Sequence, residues 1–441
     1  MITLKVIDFY LFEGYMKLLL ITASSDEIRK IRKTRIINFQ QVTMPYLAAL
    51  TPSNWEVEHI DEGQEEIDYN IKVDLVGITF HTPSANYVYK VASEFRKRGV
   101  PVVLGGPHVS LVPDEAQKYA DTIFIGEAED TWKEFLTDFE NKCHKKSYIQ
   151  KHPSSLVNLP MARKDLFHRK DHSGGIMFAT RGCPNKCEFC ALAIMYSSNF
   201  RTRPVAEVAK EYGSFDGKVI VFWDDNIAAD PQYAKELFKE ITPYKKWWSS
   251  QTSIHAGWNE ELLELAAKSG CKQLFLGLES VSQLSLDHAN KSFNKVEDYY
   301  KIIKRIHSYG ISVQVGIIFG FDEDDTSIFS KTIDFLESAG VQNVTFNMLI
   351  PYPGTPLFKR LENEGRILTY DWSKYNGRCD VVFKPKNMTS EELLEGFQWA
   401  NRKFYSLKSI GKRLSKSTAG LWWTLPLNLS YYVSYKLYGQ K

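Results

Sequence analysis

Cysteine is scarce in this chain: there are six in 441 residues, and three of them fall within one ten-residue stretch. The other three, Cys143, Cys271 and Cys379, lack the spacing of a disulfide framework, which excludes a small cross-linked secreted scaffold and suits a reducing, cytoplasmic setting. Charge excess is missing as well. The 55 lysines and arginines against 53 acids leave +2, so no electrostatic footprint marks a nucleic-acid partner. The start, Met1-Ile2-Thr3-Leu4-Lys5, breaks its apolar run with a charge and has no small-residue cleavage site, a poor match to a secretory signal. A further absence is local: from Asn401 to Lys441 there are eight lysines or arginines and no acid.

What is present is an alternation of short apolar runs and helical patterns, expected to form an α/β protein with parallel sheets. Residues 1–15 read as an extension. Residues 16–145 hold candidate strands at Leu18–Thr22, Trp55–His59, Val73–Phe80, Val102–Leu104 and Thr122–Ile125, the rhythm of a Rossmann-like domain whose ligand lies at the carboxyl ends of the strands. Residues 146–170 are broken by His152-Pro153 and Leu159-Pro160 and read as a linker. Over residues 171–365 six more strands are expected, at Ile176–Thr180, Val219–Trp223, Trp248–Ile254, Gln273–Leu278, Ser312–Ile318 and Val344–Met348. Residues 366–441 are expected to be a mainly helical cap with a basic, aromatic tail.

The chemistry starts at Arg181-Gly182-Cys183-Pro184-Asn185-Lys186-Cys187-Glu188-Phe189-Cys190. Three thiolates at this spacing can wrap three corners of a 4Fe-4S cubane and leave the fourth iron to a small molecule. A zinc site and inert buried thiols are the alternatives. Zinc wants four closed ligands, and no nearby cysteine or histidine completes such a set. The loop resembles that of radical S-adenosylmethionine (SAM) enzymes. That resemblance implies a partial (β/α)6 TIM-type barrel, a cluster held by Cys183, Cys187 and Cys190, SAM on the open iron, and reductive cleavage to a 5'-deoxyadenosyl radical. It also places Phe189 near the adenine.

The Gly105-Gly106-Pro107-His108 turn lies at one strand end of the first domain. Glycines there admit a ligand close to the backbone or simply make a tight turn. Ahead of a radical SAM barrel, the domain resembles the cobalamin-binding domain of the cobalamin-dependent branch, which includes hopanoid methylases and the anaerobic magnesium-protoporphyrin ester cyclase. The resemblance implies bound cobalamin, with Gly105 and Gly106 near its nucleotide tail. The Asp-x-His-x-x-Gly motif that supplies a lower cobalt ligand is missing, since the first strand is followed by Ser24-Ser25-Asp26-Glu27-Ile28-Arg29-Lys30. A degenerate or empty domain is the alternative. His108 reads as a hydrogen-bonded turn residue rather than a metal ligand.

Further candidates collect at the carboxyl ends of the barrel strands, where barrel chemistry is placed. By resemblance, Asp224-Asp225-Asn226 faces the SAM amino group, with one carboxylate left to cap the helix that begins at Pro231. Glu279 faces the ribose or carboxylate region, its alternative being a helix N-terminal acid. Ser253 and His255 are candidates at the third strand, and the resemblance makes Gly316 and Ile318 candidates to pack against the adenine, the alternative being that the glycine relieves crowding inside the barrel. Pro351-Tyr352-Pro353-Gly354-Thr355-Pro356 is a run typical of this branch and forms a rigid loop.

Between Ser417 and Tyr435 the tail has no charge, and Trp422, Trp423, Tyr431, Tyr432 and Tyr435 supply amphipathic rings. Pro426, Asn428 and the serines make it too polar for a span of about 20 residues. It is expected either to lie at a membrane interface or to pack on its own barrel. The function expected is that of a cobalamin-dependent radical SAM methylase acting on an unactivated carbon of a lipid or other small molecule. Its electron would come from a low-potential donor such as flavodoxin or ferredoxin, and peripheral contact with the inner face of the membrane is expected through the tail. A radical cyclase or coupling enzyme without methyl transfer, and a non-catalytic cobalamin-binding or redox-sensing protein, are the rivals.

Overall fold

A computed structural model describes residues 15–24, 42–167, 174–196, 198–417 and 419–438. The expected extension at 1–15 lies almost wholly outside the described residues. Strands β1 (Met16–Thr22), β2 (Trp55–Asp61), β3 (Leu75–Thr79), β4 (Val102–Gly105), β5 (Thr122–Ile125) and β6 (Ser147–Ile149) form one parallel sheet in the order β2-β1-β3-β4-β5-β6. The central strands are continuous apolar runs because helices cover both faces. Leu18, Leu19, Leu20 and Ile21 are all fully buried. The helix Ala85–Lys97 shows why it packs there: Val88, Ala92 and Phe95 fall on one buried face, while Lys90 and Lys97 point to solvent. The linker expected at 146–170 begins instead with β6, a three-residue edge strand paired with β5.

The second sheet is also parallel. Strands β7 (Gly174–Met177), β10 (Val219–Phe222), β11 (Trp247–Thr252), β12 (Cys271–Glu279), β13 (Ser312–Phe319) and β14 (Asn343–Met348) run in the order β14-β13-β12-β11-β10-β7 as an open, partial barrel. The strand expected at Ile176–Thr180 breaks after Met177. A short antiparallel pair, β8 (Thr180–Arg181) with β9 (Arg201–Thr202), then brackets the cysteine loop.

The two sheets are tied by ions. Glu127, just past β5, accepts from Arg181 Nη1 at 2.6 Å and from Arg201 Nη2 at 2.8 Å, while Arg181 also reaches Glu129 at 2.5 Å. The cap adds a second tie where Trp372 Nε1 donates to Glu115 at 2.9 Å and Asn86 Nδ2 donates to Asp371 at 2.7 Å.

The tail forms the helix Leu421–Tyr438 in spite of Pro426. One face packs on the barrel edge, where buried Asn428 donates to Gln342 O and Asn343 Oδ1, both at 3.0 Å, and accepts from Arg413 Nη2 at 2.9 Å. The other face exposes Trp422 (61%), Leu425, Leu429 and Val433 at helical spacing. Among the described residues, no helix is long and apolar enough to cross a membrane.

Candidate functional site

The cysteine loop begins with a backbone that only glycine fits. Gly182 has φ 86°, and a Cβ there would lie 1.9 Å from Asn199 O. Its N–H donates to Asp225 Oδ2 at 2.8 Å. Farther along, Glu188 N donates to Ala289 O at 3.1 Å and Asn290 Nδ2 to Lys186 O at 2.7 Å. From the other side Leu357 N donates to Glu188 O at 3.1 Å and Arg360 Nη2 to Glu188 Oε1 at 2.9 Å. Leu357 and Arg360 belong to the helix Pro356–Asn363, which Thr355 caps by accepting from Phe358 N at 3.1 Å. The Pro- and Gly-rich run before it therefore buttresses the loop.

The thiols suit a cationic cluster. Burial pushes the Cys187 thiol up to about 12, with Cys190, Glu279 and Cys183 adding and Lys291 opposing. Burial raises Cys190 as well, against the backbone N–H groups of Ala193 and Leu192. Two thiols raised in this way, Cys187 and Cys190, are uneasy as lone thiolates and are satisfied by shared positive charge. A single ion needs its donors about 2.0–2.3 Å from one point. Among the described residues, no three His, Cys, Asp or Glu side chains are grouped that way. Asn226 Nδ2 reaches Cys183 Sγ at 3.9 Å.

The Asp224-Asp225-Asn226 run divides its work in a way the residues alone did not reveal. Asp224 is fully buried and accepts from Ala179 N at 3.2 Å and from Thr180 Oγ1 at 2.5 Å, clamping the break between β7 and β8. Burial lifts its carboxyl to about 7 despite those donors. Asn226 Oδ1 accepts from Thr252 Oγ1 and Ser253 N, both at 3.0 Å. Neither carboxylate caps the next helix. Asp230 does so, accepting from Gln232 N at 2.9 Å and Tyr233 N at 3.1 Å. Ser253 caps its own short turn by accepting from His255 N at 3.4 Å.

Glu279 sits at φ 68° where β12 shifts register against β13, a strained conformation for a side-chain-bearing residue. It is not a helix cap, since Ser282 caps the helix Gln283–His288. Its Oε1 instead accepts from Lys291 Nζ at 2.8 Å. Gly277 makes room for the pair, since a Cβ there would lie 2.5 Å from Glu279 Oε1 and 3.2 Å from Lys291 Nζ, whereas Gly316 makes room for the Phe275 ring, 3.0 Å from where its Cβ would be. Sequence reasoning missed Lys291, which stands in an unremarkable Asn-Lys-Ser turn and reaches the site only through the fold.

A cavity of about 940 Å³ lies between the carboxyl ends of the two sheets. This is near the top of the range of roughly 300–1,000 Å³ for ligand sites. Gly105 and Gly106 line it from the first sheet, and Phe189, Asp225 and Ile318 from the barrel. Asp224, Asn226, Ser253, Glu279 and Gly316 are not among its lining residues. Gly106 has φ 100°, and a Cβ there would lie 2.5 Å from Thr79 Oγ1. His108 is fully buried between Thr82 Oγ1 at 3.2 Å and Tyr89 Oη at 3.1 Å, as a turn residue.

Comparison with known proteins agrees with this layout. A model of the radical SAM superfamily matches residues 177–336, one of the B12 binding domain matches 41–136, and a domain of unknown function (DUF4070) matches 355–422. The bacteriochlorophyllide d C-12(1)-methyltransferase of Chlorobaculum tepidum is 30% identical over 426 residues, covering 92% of this chain and 90% of that protein. The chain belongs to the cobalamin-dependent radical SAM methyltransferases. Within that family, the hopanoid C-2 methylase of Rhodopseudomonas palustris is 26% identical over 74% of this chain and 64% of its own length. Two solved cobalamin-dependent radical SAM structures share the fold. TsrM from Kitasatospora setae has 17% identity and a TM-score of 0.67, over 80% of this chain and 77% of its own. OxsB has 13% identity and a TM-score of 0.68, over 97% of this chain and 74% of its own.

Proposed function

We propose that this methyltransferase acts on an unactivated carbon of a lipid or other largely apolar small molecule. The observation that carries the reading is the shared cavity: residues expected at the cobalamin end, Gly105 and Gly106, and at the SAM end, Phe189, Asp225 and Ile318, line one space. Leu47, Leu50, Leu111, Met195 and Ile350 give the same cavity apolar walls, and the relatives above are named for a bacteriochlorophyllide and a hopanoid.

When bound, the cluster, SAM and cobalamin supply a one-electron cleavage and a methyl donor. In our assignment Cys183, Cys187 and Cys190 hold the cluster, and Asp225 accepts from the SAM amino group with Asn226 beside it. The Lys291 ammonium, held by Glu279, keeps N–H donors for the SAM carboxylate. Phe189, Ile318 and Gly316 flank the adenine. Ser253 supports this end through Asn226. Gly105 and Gly106 leave the backbone open to the cobalamin tail. Asn376 and Arg378 of the cap line the cavity and limit access of water.

A flavodoxin or ferredoxin supplies the electron in this reading. The protein is cytoplasmic, and the exposed Trp422, Leu425, Leu429 and Val433 stripe rests on the inner membrane face with the nearby lysines against anionic headgroups. Two experiments test these assignments. Replacing all three cysteines by alanine is expected to abolish both bound iron and deoxyadenosine formation; cleavage that survives contradicts the assignment. Serine at Trp422, Leu425 and Leu429 together is expected to reduce co-sedimentation with anionic vesicles, and unchanged co-sedimentation contradicts membrane contact.

A further inference from the structure

The strand order of the first sheet reverses between β1 and β3, and in an open parallel sheet a ligand sits outside the carboxyl ends of the strands at such a point. Residues following those two strands, Thr22 to Ser24 and Thr79 to Ser84, line the cavity there, and His81 stands among them. It lies two residues beyond the end of β3, in extended backbone at φ −100°. Its own carbonyl is fixed by the Ser84 N–H at 2.9 Å, ahead of a turn stiffened by Pro83. His81 is exposed and lines the cavity, so its imidazole can be presented to a ligand there.

Its competitors are engaged elsewhere. His59 spends its ring on Thr22 Oγ1 at 3.0 Å and Leu166 O at 3.2 Å, and His108 is sealed between Thr82 and Tyr89. The segment from Ser24 to Gln41, where the missing motif would have supplied a histidine, contains none. Among the described residues, His81 is the one histidine that lines the cavity, and its ring has no hydrogen-bond partner there.

We propose that His81 is the lower axial ligand to cobalt, supplying from the end of β3 the imidazole that β1 lacks. The assignment rests on the reading that this domain binds cobalamin. It makes His81 a ligand and leaves His108 a structural residue, although both follow strands of the same sheet.

The test is electron paramagnetic resonance of the full-length protein loaded anaerobically with cob(II)alamin, prepared once with natural histidine and once with nitrogen-15 histidine. Ligation by His81 gives cobalt lines split in three by one axial nitrogen, which become pairs on labelling, and the splitting disappears in His81→Ala. Three-line splitting that ignores the label means that the cofactor's own base is the ligand and overturns the proposal. So does an absence of splitting. Cobalamin absorbance after gel filtration is read separately: a protein that retains none refutes the cobalamin reading itself, whereas retained cobalamin without a histidine signature refutes only the ligand.

Discussion

Asp225 Oδ2 lies 2.8 Å from the backbone nitrogen of Gly182 and accepts its hydrogen, so a carboxylate just past β10 pins the residue that precedes Cys183. Burial raises the Asp225 carboxyl, while the Gly182 bond and the charge of Arg181 draw it back toward the anion. The acid expected to meet SAM thus also sets the entry angle of the cluster loop. In the proposed assignment, cluster and SAM are coupled through one side chain.

Gly182→Ala is expected to disrupt that coupling. Alanine at φ 86° costs about 1–2 kcal/mol by conformation, and its Cβ would stand 1.9 Å from Asn199 O, so the loop must shift. Iron per chain is expected to fall by more than half after reconstitution while cobalamin is retained. Full iron content in the variant contradicts the account.

Gly106→Ala is expected to do the reverse. Its Cβ would meet Thr79 Oγ1 at 2.5 Å and Phe80 backbone at 3.1 Å, at the lip of the cobalamin end. Cobalamin retained after gel filtration is expected to drop by about tenfold or more, an effect of about 1.4 kcal/mol, with iron unchanged. Equal loss of both cofactors would point to general unfolding instead.

The tie between the sheets carries an acid dependence. Burial pushes the Glu127 carboxyl up, but Arg201 and Arg181 outweigh it and hold the group at about 2, below its ordinary 4.5. A depressed folded pKa means stability that is complete above about 4.5 and is lost as pH falls toward 2. Glu127→Gln is expected to lower stability near neutral pH by about 3–5 kcal/mol, because it strands partly buried arginine charge, and to flatten the melting temperature against pH between about 4.5 and 2. Parallel slopes for the two proteins contradict this.

Lys291→Met removes the ammonium that Glu279 holds 2.8 Å away. A hydrogen bond to a charged partner is worth about 1.5–3 kcal/mol, so SAM is expected to bind about 10- to 100-fold more weakly to cluster-loaded protein. Lys291→Arg is expected to recover part of that loss. Unchanged SAM affinity in Lys291→Met removes the residue from the site.

The expected strands were legible because parallel strands buried on both faces are written as unbroken Val, Ile and Leu runs, as at Leu18–Ile21. β6 was not, since Ser147-Tyr148-Ile149 is three residues long and follows two lysines at a sheet edge. The cysteine spacing identified the loop, but the partners of Asp224 are backbone groups and the Thr180 hydroxyl some 45 positions away, which no local pattern records. Lys291 and Glu127 became visible only once the fold brought opposite charges to them. In the tail, Pro426 and Asn428 argued against a membrane span and left open where the segment packs. The buried Asn428 is satisfied there by four hydrogen bonds, two of them on the barrel edge.

The central claim is methyl transfer driven by SAM cleavage, and the most direct measurement is mass-spectrometric quantification of both SAM-derived products. Reconstituted enzyme is incubated anaerobically with hydroxocobalamin, a strong reductant that brings it to the methyl-accepting cob(I)alamin, and SAM. The account predicts deoxyadenosine together with S-adenosylhomocysteine, both lost when Cys183, Cys187 and Cys190 are replaced. Deoxyadenosine alone, or neither product with the cluster intact, would contradict it.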